Sequence, residues 1–247
     1  MKYYKSKEEL PYFVYDGLSS VDFNLVVTKY DNLSSKENNF DLISIPGKNG
    51  NYLSKKEDAN VTREIEFYID CESVEEINML SKKIKRWLQG SSEYKELIFS
   101  DDLNTIHEAI CINKINIEEV IEAFGECKIT FSCKPYTKTV FNNVITITEN
   151  NSNIYSEYYS SQPVIKITGK GDISISINNE NLILKGVENE IVVDTKSMEC
   201  YKKVNEIIIY QNDKMYSDFP VLKEGINNIS WTGNVTKLEI TPNWIEL

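Results

Sequence analysis

The sequence predicts a mainly β chain of two domains with a single helix. Three patterns predict it. Apolar residues alternate with a period of two in the N-terminal half, one segment near residues 74–89 has a helical period, and roughly eight short β-rich runs follow residue 138, separated by turn residues. The chain has 247 residues, enough for one large or two modest domains. Hydrophobic residues make up 41% and charged residues 26%, which supplies enough apolar material for a core.

Taken in order, residues 31–60 form a polar excursion around Ile43-Ser44-Ile45-Pro46-Gly47-Lys48-Asn49-Gly50. The two glycines around Lys48-Asn49 predict a tight turn, and a projecting hairpin with an apolar tip would dock on a neighbour. Val61–Asp70 alternates Val61, Ile65, Phe67 and Ile69 against Thr62, Glu64 and Glu66, as a half-buried strand requires. Val74–Gln89 places Ile77, Leu80, Ile84, Trp87 and Leu88 on one helical face. Ser73 and Glu76 predict a capping box, and Gly90 a left-handed exit. Ile106–Ile117 reads as a less regular strand, and Ala123–Cys133 as a clean one ending before Pro135.

The domain boundary is expected near Lys138, giving domains 1–138 and 139–247. Predicted strands then run Val144–Thr148, Val164–Thr168, Ile173–Ile177, Leu182–Leu184, Ile191–Val193, Ile207–Tyr210, Ile226–Trp231 and Val235–Ile240. Gly169-Lys170-Gly171 and Thr232-Gly233-Asn234 are among the expected turns between them. Short strands at this spacing predict a sandwich or jelly roll.

Charge and motifs narrow the function. The formal charge is −11, a field that repels nucleic acid, so sequence-specific DNA or RNA binding is not expected. No run approaches the ~18 apolar residues of a membrane-spanning helix. Residues 1–9 have no apolar core of the secretory kind, so membrane insertion and a secretory signal are not expected. Cys71, Cys111, Cys127, Cys133 and Cys200 are odd in number and loosely spaced, which predicts buried thiols rather than disulfides or zinc ligands.

The sole histidine, His107, cannot build an imidazole zinc site and has no nucleophile motif beside it. Gly169-Lys170-Gly171 lacks phosphate-loop spacing, and Gly47–Gly50 precedes no helix. Asp101-Asp102 and Glu118-Glu119 are sequence neighbours, which on a strand point to opposite faces, a poor geometry for a shared acid–base site. No enzymatic activity and no cofactor or metal are expected. Tyr155, Tyr158, Tyr159 and Trp231 are open to three readings: core, protein interface or sugar contact.

The ordered set of motifs resembles the distal tail proteins of long, non-contractile tailed phages. It comprises Phe13–Val26, in which Asn24 stands where the family has Gly, then Ile45–Gly50 and the helix ending Arg86-Trp87-Leu88. Phe131-Ser132-Cys133-Lys134-Pro135-Tyr136, Gln162–Gly169, Gly225–Ile229 and Thr241-Pro242-Asn243-Trp244 complete it. The resemblance implies a tail-tube-like N-terminal β-barrel or sandwich with one helix and a projecting hairpin, and a C-terminal galectin-like β-sandwich.

It further implies a homohexameric ring at the virion tail tip, made in the bacterial host cytoplasm. That ring joins the tail tube protein to a tail-associated hub or lysin protein, holds receptor-binding or other baseplate proteins, and lets genomic DNA pass through its lumen. Ile43, Ile45, Pro46, Gly47, Lys48, Asn49, Gly50, Tyr52 and Leu53 are the expected ring-interface hairpin. Tyr155, Tyr158, Tyr159 and Trp231 are the expected partner or sugar contacts. The alternative function is a cell-wall carbohydrate-binding module of a tail or baseplate.

Overall fold

A computed structural model describes residues 10–31, 40–113 and 127–246. The chain divides into two compact units between Thr137 and Lys138. The N-terminal unit contains β1 (Phe13–Tyr15), β2 (Leu18–Ser19), β3 (Leu25–Tyr30), β4 (Phe40–Ser44), β5 (Asn51–Lys55), β6 (Val61–Ile69), α1 (Val74–Gln89), β7 (Lys95–Phe99), β8 (Asp102–Cys111) and β9 (Cys127–Thr139). Its main sheet is ordered β2-β1-β7-β8-β9-β6-β3, while β4 and β5 pair only with each other among the described residues. On β6 the inward residues Ile65, Phe67 and Ile69 are buried and the intervening ones are not, so the period-two pattern sets the face.

The main sheet curls. β3 and β7 are separated by β6, β9 and β8 in the sheet order, yet the Tyr30 ring lies 5.0 Å from Phe99. The Tyr30 hydroxyl also stands 3.4 Å from Ser100 Oγ. The helix fills the curl with Leu80, Ile84, Trp87 and Leu88. Trp87 stacks between Phe13 at 5.5 Å and Phe23 at 4.3 Å, and its indole N–H donates to the Tyr15 carbonyl at 2.8 Å. A large ring is thus buried with its one polar atom satisfied.

Helix α1 has the predicted bounds, but its ends differ from expectation. Ser73 Oγ accepts from the Glu76 N–H, as a cap should. The Glu76 carboxylate accepts from the Glu72 N–H, one residue before the cap, rather than closing a box on Ser73. Gly90 is right-handed, with φ −75°, not left-handed. Its missing side chain matters for space instead, since a Cβ there would collide with the Arg86 carbonyl oxygen.

Strand β8 starts four residues earlier than predicted, because Asp102 turns the chain. Its carboxylate accepts from the Asn104 N–H and the Thr105 hydroxyl at 3.1 and 2.6 Å. The expected strand residues 114–117 and 123–126 lie outside the described residues, as do Glu118 and Glu119.

The C-terminal unit contains β10 (Ile145–Ile147), β11 (Ser152–Ser156), β12 (Val164–Ile177), β13 (Glu180–Val187), β14 (Glu190–Asp194), β15 (Glu199–Val204), β16 (Ile207–Tyr210) and β17 (Gly225–Thr241). The sheet runs β10-β17-β12-β14-β15-β16, with β11 also on β17 and β13 also on β12. Two expected turns are not turns. Gly169-Lys170-Gly171 lies inside β12 and Thr232-Gly233-Asn234 inside β17, and the two strands pair across both segments with register shifts.

The glycines permit this close approach. A Cβ on Gly169 would stand 2.5 Å from the Asn234 carbonyl oxygen, and Gly233, at φ 95°, has the Asp172 carbonyl at the place of its absent side chain. These are bulges where long strands bend and change partners. β12 pairs with β14 before the bend and with β13 after it, and β17 likewise serves β10 and β11. Ile165, Ile167, Ile173, Ile175, Ile177, Leu238 and Ile240 build the core between the resulting layers.

Candidate assembly surface

The hairpin β4–β5 is the most unusual surface of the N-terminal unit. Its register places Leu42 opposite Leu53 and Ile43 opposite Tyr52. Neighbouring positions on a strand point to opposite faces, so each face of this ribbon carries an apolar cross-strand pair. Phe40, Leu42, Ile43, Ile45, Tyr52 and Leu53 are all exposed, Leu42 by 65% and Tyr52 by 61%. A two-stranded ribbon with no third strand is marginal in water by itself. This one has its apolar surface arranged for a partner on either face.

The tip is built by local chemistry. Pro46 and Gly47 occupy the two central turn positions, Gly47 has φ 81°, and the Lys48 N–H donates to the Ile45 carbonyl at 3.1 Å. That is a type II turn, for which Pro then Gly is the preferred pair. The hydrogen-bonded turn therefore precedes Lys48-Asn49, which stand exposed between it and Gly50. At the base, Lys56 pairs with Asp41 at 2.7 Å. Phe40 and Leu42 belong to the same exposed set and were not among the expected contact residues. Their alternation with Asp41, ahead of Ile43, is the sequence signal that could have included them.

The four aromatics expected as partner contacts differ in exposure. Tyr155 on β11 is 70% exposed and sits opposite Ile226, itself exposed. Tyr159 is exposed and bridges to Ile245. Tyr158 stacks on Trp244 at 5.7 Å. Trp231 is buried in the core, its backbone N–H and C=O both held by the Asn150 side chain at 2.8 Å.

Burial sets the protonation of several ionisable groups inside the protein. Burial and the Arg63 charge hold His107 down at about 4, against a smaller opposite pull from Asp102. Burial pushes the thiols of Cys111, Cys133 and Cys200 up to about 11, 12 and 11, so they are protonated and poor nucleophiles or ligands at neutral pH. Among the described residues no group of three or more His, Cys, Asp or Glu side chains is placed to hold a metal ion. No helix among them is long and apolar enough to cross a membrane.

Residues 20–133, a span that includes the hairpin, the helix and most of the curled sheet, match the family described as the phage tail protein RIFT-related domain. The Dit (gp 19.1) protein of phage SPP1, described as a paradigm of the hub adsorption apparatus in phages infecting Gram-positive bacteria, superimposes with a TM-score of 0.76. The match covers 94% of this chain and 98% of that one at 13% identity. The chain has the distal-tail fold, and its residues 20–133 resemble a phage tail domain.

Chains of the phage P2 baseplate, solved in its activated conformation with calcium and with strontium, also share that fold. Each has a TM-score of 0.55 and 10% identity, over 93% and 94% of this chain and 97% of theirs. No curated protein sequence matches. The distal-tail fold accounts for the mainly β architecture with one α-helix among the described residues.

Proposed function

We propose that copies of this tail protein close a six-fold ring at the tail tip, with the N-terminal unit as the ring-forming part. The observation that carries this reading is the β4–β5 hairpin, a ribbon exposing apolar pairs on both faces. A closed ring needs heterologous contacts, in which one patch of each copy meets a different patch of the next. A projecting clasp of Ile43, Ile45, Pro46, Gly47, Lys48, Asn49, Gly50, Tyr52 and Leu53, widened by Phe40 and Leu42, supplies one half of such a contact.

In this reading the ring joins the tail tube protein above to a tail-associated hub or lysin protein below. The C-terminal unit holds receptor-binding or other baseplate proteins, with Tyr155 and Tyr159 as the contact aromatics open to solvent. The work is structural rather than catalytic. The charge of −11 suits a conduit, because a negative lumen repels phosphate and lets genomic DNA pass without adhering. A second reading, a cell-wall carbohydrate contact by the C-terminal unit, rests on the exposed Tyr155–Ile226 pair.

Deleting Ser44–Asn51 tests the ring directly. The expected product is a folded monomer, with native circular dichroism, that closes no ring in mass photometry. Rings of normal mass from the deleted chain would refute the clasp.

A further inference from the structure

β16 forms one edge of the C-terminal sheet, with β15 on one side and no strand on the other among the described residues. Its residues Ile207, Ile208, Ile209 and Tyr210 are exposed by 66%, 47%, 42% and 60%. Natural sheet edges are blunted by lysine, proline or a bulge, and this strand contains none of them.

The register assigns the hydrogen-bonding groups of the open edge. Asn205 and Glu206 both have positive φ, 47° and 65°, which makes the β15–β16 connection a two-residue type I′ hairpin. Val204 and Ile207, flanking that turn, are a hydrogen-bonded pair, and alternation makes Lys202 and Ile209 the next. The Gln211 N–H donates to the Cys200 carbonyl at 2.7 Å, which continues the same alternation. Ile208 and Tyr210 therefore turn their N–H and C=O groups away from β15, toward the open edge.

We infer that β16 pairs antiparallel with β16 of a second copy of this chain, about a two-fold axis at Ile209. Parity sets the register. Ile208 of each copy faces Tyr210 of the other, and the two pairs exchange four backbone hydrogen bonds. Ile209 then faces its own counterpart, Ile207 faces Gln211, and Glu206 faces Asn212. Although each copy carries a net charge of −11, no like charges meet across this register. The Ile–Tyr pairs are of the favourable aromatic with β-branched kind.

A foreign strand would have to bring apolar residues to both faces of the ribbon, which a second copy supplies in itself. The contact buries on the order of several hundred Å² per copy, below the ~1,200–2,000 Å² total of a stable interface, so pairing is weak and concentration-dependent. It is isologous, and independent of the heterologous hairpin contact of the proposed ring.

A cysteine at the axis tests it in the full chain. Residues facing one another in a non-hydrogen-bonded pair have Cα atoms ~4.5 Å apart, within disulfide reach. Ile209→Cys should give a covalent dimer on non-reducing gels after mild oxidation at high concentration. Ile207→Cys and the unsubstituted chain, with its five native cysteines, should give several-fold less. Adding Ile208→Lys to Ile209→Cys should abolish the dimer, whereas adding the Ser44–Asn51 deletion should not, which separates this contact from the ring. Equal cross-linking at 207 and 209 would overturn the inference. So would a folded Ile209→Cys chain that never dimerises, a result that leaves the edge to a foreign strand.

Discussion

His107 is the one histidine of the chain, and its environment sets how it titrates. It lies on β8 with its ring edge-on to Phe99 at 5.4 Å and is nearly inaccessible. Its place in a strand was legible from the sequence. Its burial beside Arg63 was not, because the contact depends on sheet order.

The depressed value gives a pH prediction. Above about 6.5 the side chain is neutral whether the chain is folded or unfolded, so it adds no pH dependence. Between about 6.5 and about 4 the unfolded chain takes up a proton that the folded chain refuses, so stability falls as pH falls. The loss across that window is on the order of 3 kcal/mol. His107→Gln should flatten this limb of the stability–pH curve measured by urea unfolding, and an unchanged limb would assign it to other groups.

At the scale of the element, legibility followed local signal. Helix α1 carried an apolar stripe, a cap and a charge gradient that all agreed, and its bounds were readable from sequence. The long strands β12 and β17 were each read as two, because glycine usually marks a turn and here marks a bulge. The distinction lies in what faces the glycine across the sheet, which no local pattern encodes. β11 and β15 were missed because each is short and mixes polar with apolar residues without a regular alternation.

The bulges predict a specific sensitivity. Gly233→Ala must be accommodated at φ 95° against the Asp172 carbonyl, and should cost about 2 kcal/mol or more. Thermal unfolding should show that loss, and an unshifted midpoint would mean the strand pair relaxes at no cost. The hairpin was legible as a projecting turn from Pro46, Gly47 and Gly50. That its apolar residues occupy both faces emerges only from the register, Leu42 to Leu53 and Ile43 to Tyr52.

For the whole molecule, two β-rich units of different design follow from one composition. The N-terminal unit curls a single sheet around a helix, and the C-terminal unit bends long strands across glycine bulges. Both units leave apolar strands exposed. Exposed apolar strands of this kind, on a chain whose residues 20–133 match a phage tail domain, fit the proposed role as an assembled part. Negative-stain electron microscopy of the purified full chain tests this most directly. The account predicts six-fold rings with a central hole, whereas particles that stay single at every concentration would contradict it.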